Sequence, residues 1–170
     1  MRERGDFKVV VTKDYLVFAS AHFITFAGHR CESLHGHNYR VEVVVEGALE
    51  EESWYVYDFV ALKRLMRRLC NELDHRVLLP RDNPKLAITE RDSAISVAYE
   101  GTLRYIFPAG DCIVLPVPNT TVEMLAEYLA GRVRAEIGDA GDAGAARLSA
   151  IQIEVEENFG QSAVYRERLG

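Results

Sequence analysis

The segment HRCESLHGHNYR, residues 29–40, holds three of the five histidines and one of the three cysteines in this chain. His35 and His37 stand two apart. On an extended chain, residues i and i+2 point to the same side, so both imidazoles can meet one point. Gly36 between them has no side chain and lets the backbone pass close to whatever sits there. A third imidazole, His22, lies in FASAHF at the end of a strand-like region. If that strand pairs with the one that follows His37, His22 comes alongside the pair. Three imidazoles without a thiolate partner fit a zinc site with its fourth position open, which implies chemistry rather than scaffolding. His29, in AGHR, reads as an exposed loop histidine.

A second group is LDHR, where Asp74 and His75 close a helix. Asp74 can orient His75, and His75 can exchange a proton with a nearby thiol. A charged histidine at a helix C-terminus also has a purely structural explanation. Cys31 is the thiol that fits the first reading. Close to a bound zinc and to His75, its pKa is expected to fall toward neutrality, making it a usable base. Cys70 and Cys112 read as small buried hydrophobes. The odd count, wide spacing and absence of C-x-x-C argue against a disulfide framework or a cysteine-rich zinc site.

These groups need a scaffold. DFKVVVTKDYLVFA, residues 6–19, is rich in β-branched and aromatic residues and predicts a strand or two. In YRVEVVVE, residues 39–46, Tyr39, Val41, Val43 and Val45 alternate with Arg40, Glu42 and Glu46, as in a half-buried strand. A helix is predicted from Asp58, its N-cap, with Phe59, Leu62, Leu65, Met66, Leu69 and Leu73 as its apolar stripe. Pro80 and RDNP end that unit. AISVAYE, TLRYIF and CIVLP read as short strands. A second helix follows over NTTVEMLAEYLAGRVRAEIG, with Thr120-x-x-Glu123 as a capping box and Gly138 as its stop. DAGDAGAAR reads as a loop, and LSAIQIEVEE and SAVYRER as two closing strands. The order of strands, helix, helix, strands predicts an α+β sheet with both helices on one face.

The composition sets limits. The chain has 170 residues, 48% hydrophobic and 27% charged, and suits one domain. Its net charge of −6 argues against a general nucleic-acid binder, which needs an excess of cations. No apolar run is long enough to span a bilayer, and MRERGDFKVVV lacks the pattern of a secretory signal. A cytoplasmic protein is the expectation.

Taken together, FASAHF, CESLHGHNY, YVYDFVALK, LDHR, TTVEMLAEYL and VEENFGQSAVY resemble the 6-pyruvoyltetrahydropterin synthase and 6-carboxytetrahydropterin synthase family. The three residues between Cys31 and His35 resemble the bacterial carboxytetrahydropterin type. The resemblance implies the tunnelling fold, an antiparallel four-stranded sheet with two helices on one face, assembling as trimers or hexamers. It implies a lyase acting on 7,8-dihydroneopterin triphosphate, with zinc on His22, His35 and His37. Cys31 would abstract a side-chain proton, with Asp74 and His75 completing a relay, and Glu157 would hold the pterin. Thr121 would touch the pterin, or serve as a helix N-terminal residue. Glu156 points to the opposite face from Glu157, so a one-residue register error would exchange them. Relative to short bacterial members, residues 81–118 form an insertion, read as an added β-hairpin or two within a single domain spanning 1–170. It would wall or cover the site, meet a neighbouring subunit, or merely decorate the periphery.

Overall fold

The computed structural model describes residues 6–139 and 145–169. The order is β1 (Phe7–His22), β2 (Thr25–Phe26), β3 (Arg30–Cys31), β4 (His35–Gly47), α1 (Phe59–Leu73), β5 (Arg76–Pro80), β6 (Leu86–Arg91), β7 (Ala94–Tyr99), β8 (Thr102–Pro108), β9 (Cys112–Leu115), α2 (Val122–Asp139), β10 (Leu148–Glu157) and β11 (Ser162–Arg168). Both closing strands fall where the alternation puts them. The predicted loop DAGDAGAAR lies largely outside the described residues.

The main sheet is larger than expected. It has six strands in the order β11-β10-β4-β1-β5-β9. The expected antiparallel four, β11 to β1, form one part of it. Strands β5 and β9 extend it in parallel, so the sheet is mixed. Within this sheet, sequence reading missed strand β5, because RVLLP is short and ends on a proline taken there as a terminator. Its Leu78 and Leu79 are fully buried, and burial on the sheet decides the conformation of so short a run.

Alternation along β1 and β4 builds the core. Tyr39, Val41, Val43 and Val45 face inward with Leu16 and Phe18, and Phe18 stacks on Tyr39 at 4.6 Å. The pairing of β1 with β4 shifts register between Thr12 and Val17. Both helices join this one core. Helix α1 buries Leu62, Met66, Leu69, Cys70 and Leu73, while α2 buries Leu125, Leu129, Val133 and Ile137. Asp58 caps α1 by accepting the Val60 N–H at 2.7 Å, but Phe59, read as part of the apolar stripe, stays half exposed at the helix start. The predicted capping box of α2 does not form. Thr120 is buried and donates to the Phe23 carbonyl at 3.2 Å, and Thr121 caps the helix through Met124 N–H at 3.4 Å.

Residues 86–108 form a separate three-stranded antiparallel sheet, β6-β7-β8, which is two successive hairpins. It has a second small core: Ile95 and Val97 pack with Phe23 and Leu79, joined by Leu34, Tyr105 and Phe107. Phe23 follows His22 directly, so this sheet is anchored at the end of β1 that carries the histidine.

Candidate metal and catalytic centre

Strand pairing brings the histidines together. His22 lies opposite His35 and Ser20 opposite His37 in the antiparallel register. One ligand atom from each of His22, His35 and His37 lies within 4.8 Å of the others. Neighbouring ligands around a tetrahedral zinc stand roughly 3.4 Å apart, so a small closure of these rings completes the set. An added Cβ at Gly36, between the two ligands, would stand at ordinary contact distance, 3.4 Å, from the Ser20 carbonyl of β1.

Hydrogen bonds prepare the rings as ligands. The His22 Nδ1 lies 2.8 Å from the Thr120 carbonyl, and the His35 Nδ1 2.9 Å from the Ser33 carbonyl. A carbonyl accepts only from N–H, so each ring carries its proton on Nδ1 and leaves Nε2 free. The Asn158 side-chain nitrogen lies 2.9 Å from His37 Nδ1, and turning that amide over presents its oxygen there instead. Burial lowers the pKa of His22, outweighing the Thr120 bond and the Glu157 charge, so this ring is held neutral. A set of three imidazoles converging on one point is a donor set that fits a zinc-type ion.

Glu157 is the inward-facing residue of its pair, opposite Tyr39 on β4. Its Oε1 lies 3.4 Å from the Nε2 atoms of both His22 and His37, and accepts from the Tyr39 hydroxyl at 3.2 Å. Glu156 turns outward toward Arg40, at 3.5 Å. Glu157 therefore borders the metal position as well as any ligand bound there. Burial first, then Glu157, pushes the Tyr39 phenol far up, so it remains a neutral donor.

Asp74 and His75 form a separate arrangement. His75 Nδ1 lies 2.8 Å from Asp74 Oδ2, and Asp74 Oδ1 accepts the Ala19 N–H at 2.7 Å. The His75 N–H donates to the Ala19 carbonyl at 2.7 Å, and Ser20 Oγ to the Leu73 carbonyl at 2.6 Å. The end of α1 is thus pinned to β1, with His75 in a left-handed turn at φ 57. Burial raises the Asp74 pKa, but the Ala19 bond and His75 outweigh it and leave the carboxyl below its ordinary value. His75 borders an open groove of about 490 Å³ with Ala19, Ala21 and Asn38.

In the chain alone, burial raises the Cys31 pKa, the Arg104 charge opposes it and Glu32 adds to it. Among the described residues, no hydrogen bond or ion pair joins Cys31 to His75. Sequence reading passed over Glu32. Its buried Oε2 accepts no hydrogen bond and lies 3.8 Å from His35 Nδ1. The signal was its place three residues before His35. His29 is exposed, as read, and donates to Glu100 at 2.7 Å.

A curled mixed sheet under two helices, with a three-histidine cluster at one end, matches a defined class. The family model described as 6-pyruvoyl tetrahydropterin synthase matches residues 11–168, and the chain belongs to that family. It is a lyase of the 6-carboxy- or 6-pyruvoyl-tetrahydropterin synthase type. A Methanocaldococcus jannaschii protein named as a putative 6-carboxy-5,6,7,8-tetrahydropterin synthase is 34% identical, over 91% of each chain. The crystal structure of 6-pyruvoyl tetrahydropterin synthase from Plasmodium vivax aligns at 30% identity and TM-score 0.88, covering 98% of this chain and 100% of that one. Another structure of that enzyme is described as a mutant of a catalytic residue, a glutamate. A Pyrococcus furiosus dihydroneopterin monophosphate aldolase is 43% identical over 68 residues, 39% of this chain and 56% of its own. Among the described residues, no helix is long and apolar enough to cross a membrane.

Proposed function

We propose that this protein is a zinc-dependent 6-carboxytetrahydropterin synthase that acts on 7,8-dihydroneopterin triphosphate and eliminates the triphosphate, in a route to queuosine or another 7-deazapurine. The convergence of His22, His35 and His37 beside the Cys31 loop carries this reading. His22, His35 and His37 would hold the zinc, which would supply Lewis-acid polarisation of a substrate oxygen and so acidify the neighbouring C–H. Cys31, once ionised, takes that proton. Asp74 holds His75 in one tautomer, so that its outer nitrogen passes a proton. Glu157 suits the amino and ring N–H groups of a pterin, because a carboxylate accepts two parallel bonds.

The test is turnover. Zinc-loaded protein is incubated with 7,8-dihydroneopterin triphosphate and the products are read by mass spectrometry. Formation of 6-carboxytetrahydropterin and acetaldehyde, lost in Cys31→Ala, is expected. Unchanged substrate with zinc bound would sink the reading.

One observation favours a second reaction at the same site. Glu32 offers a carboxylate oxygen without a hydrogen bond next to His35. The catalytic glutamate of the P. vivax enzyme and the aldolase name of the P. furiosus relative lend it support. Here Glu32 takes the proton of a side-chain hydroxyl, that carbon becomes an aldehyde as the adjacent carbon–carbon bond breaks, the electron pair stays on the pterin side as an enamine, and return of the proton to that carbon gives the hydroxymethyl pterin. The same mass spectrum separates the two products, and Glu32→Gln abolishes only the second.

A further inference from the structure

We infer that Arg104, on the 86–108 sheet, is a positioning residue for Cys31, fixing the Cys31–Leu34 segment from the side opposite β2. The role of Cys31 as the base rests on the function proposed above. The contacts of Arg104 do not.

One edge of this segment is held by the hairpin. Cys31 pairs with Thr25, and the Glu32 N–H donates to the Ile24 carbonyl at 2.9 Å. Strands of two residues hold little by themselves. The other edge is held by the three-stranded sheet. Arg104 Nη2 donates to the Glu32 carbonyl at 2.9 Å and lies 3.3 Å from the Cys31 carbonyl. Its Nε donates to the Tyr105 hydroxyl at 3.1 Å, and that hydroxyl accepts the Leu34 N–H at 3.1 Å. The residues of one strand, Arg104 and Tyr105, thus reach three of the four backbone units from Cys31 to Leu34. Beneath them Cys31 and Leu34 pack on Phe23, Ile95, Val97 and Tyr105. Only a planar fork can span adjacent carbonyls and a phenol at once. A lysine carries the charge without that reach.

The same placement brings a cation to the thiol. The ionisable groups that act on Cys31 are Arg104 and Tyr99 from the sheet and Glu32 from its own segment. Tyr99 is neutral, its phenol pushed up by burial and by Glu100. Arg104 therefore works alone against burial and Glu32. A base needs its thiolate near neutral pH, and an adjacent cation favours it. The sheet is then part of the catalytic apparatus.

The experiment reads the thiol directly. The rate of iodoacetamide alkylation at Cys31, followed on its peptide by mass spectrometry in zinc-loaded protein, is measured against pH. Burial pushes Cys70 up to about 12, and peptide mapping separates Cys112. In Arg104→Gln, the midpoint for Cys31 is expected to rise by about one pH unit. Turnover is expected to fall about tenfold or more in kcat, with KM within about twofold. Arg104→Lys restores the midpoint but only part of kcat. Tyr105→Phe removes one hydroxyl, gives the same direction more mildly, and decides the matter if Arg104→Gln does not fold. An unmoved alkylation profile in a folded variant overturns the assignment, whatever happens to turnover. A shifted profile in a protein that makes no carboxypterin upholds Arg104 and overturns the proposed reaction instead.

Discussion

The Nδ1 atom of His22 lies 2.8 Å from the carbonyl oxygen of Thr120, which sits just ahead of α2. This bond ties the histidine at the end of β1 to the segment that opens the second helix. Thr120 is itself anchored, its hydroxyl donating to the Phe23 carbonyl next to His22. A buried imidazole fixed in this way is a neutral ligand before any metal arrives.

The metal-free protein should therefore weaken in mild acid. The folded pKa of His22 lies below its ordinary 6.5. The unfolded chain binds a proton there that the folded chain refuses, so this stability is present above 6.5 and is lost as the pH falls below it. Thermal unfolding of metal-free protein between about pH 7 and 5 should show a falling Tm, and His22→Gln should flatten that fall.

Asn158 tests the outer support of the site. Its amide lies 2.9 Å from His37 Nδ1, and its backbone is left-handed at φ 59. Asn158→Gly keeps the backbone free while removing the amide, and should weaken zinc binding about tenfold to a hundredfold in chelator competition. Asn158→Asp restores an acceptor and should keep affinity near the original.

Asp74→Asn keeps an oxygen for the Ala19 N–H but removes the charge that orients His75. A loss of about a hundredfold in kcat is expected, with KM little changed. The Asp74 pKa is lowered, so its contribution to stability is present above its ordinary 3.8 and is lost as the pH falls through the folded value. The substitution should therefore reduce the steepness of acid unfolding below about pH 4, read by circular dichroism.

Glu157→Gln separates pterin recognition from metal binding. The three imidazoles remain, so zinc content should stay near one per chain by elemental analysis. The pterin N–H groups lose a charged acceptor, which is worth about 1.5–3 kcal/mol, or roughly tenfold to a hundredfold in KM. Loss of zinc instead would show that Glu157 serves the ion rather than the pterin.

Much of this was legible because it was local. The H-x-H spacing, the alternation from Tyr39 to Val45 and the Asp58 cap depend on neighbours in sequence, and each stands where it was read. Strand β5 escaped because five residues carry too little periodicity, and only burial of Leu78 and Leu79 makes them a strand. The cap falls to Thr121, one of its two read roles, because the Thr120 hydroxyl is buried and found a partner 97 residues away. The raised pKa of Cys31 and the reach of Arg104 are tertiary facts. No spacing in the sequence joins residues 31 and 104.

The register shift in β1 works as a phase changer. From Thr12 to Val17 the strand takes five steps while β4 opposite takes two, from Glu42 to Arg40. The excess is odd, so parity inverts. Before it, odd-numbered Val9 and Val11 face the core; after it, Leu16, Phe18, Ser20 and His22 do. Which face of the sheet receives His22 is therefore decided some six to ten residues upstream, in a stretch that never touches the metal position. A single-residue deletion there, if the pairing before the shift held and the lost step passed downstream, would keep every ligand in the sequence and yet turn Phe18 and His22 to the opposite face. The bulge is a device of counting, and it sets a boundary on which insertions and deletions this lineage of sequences can carry.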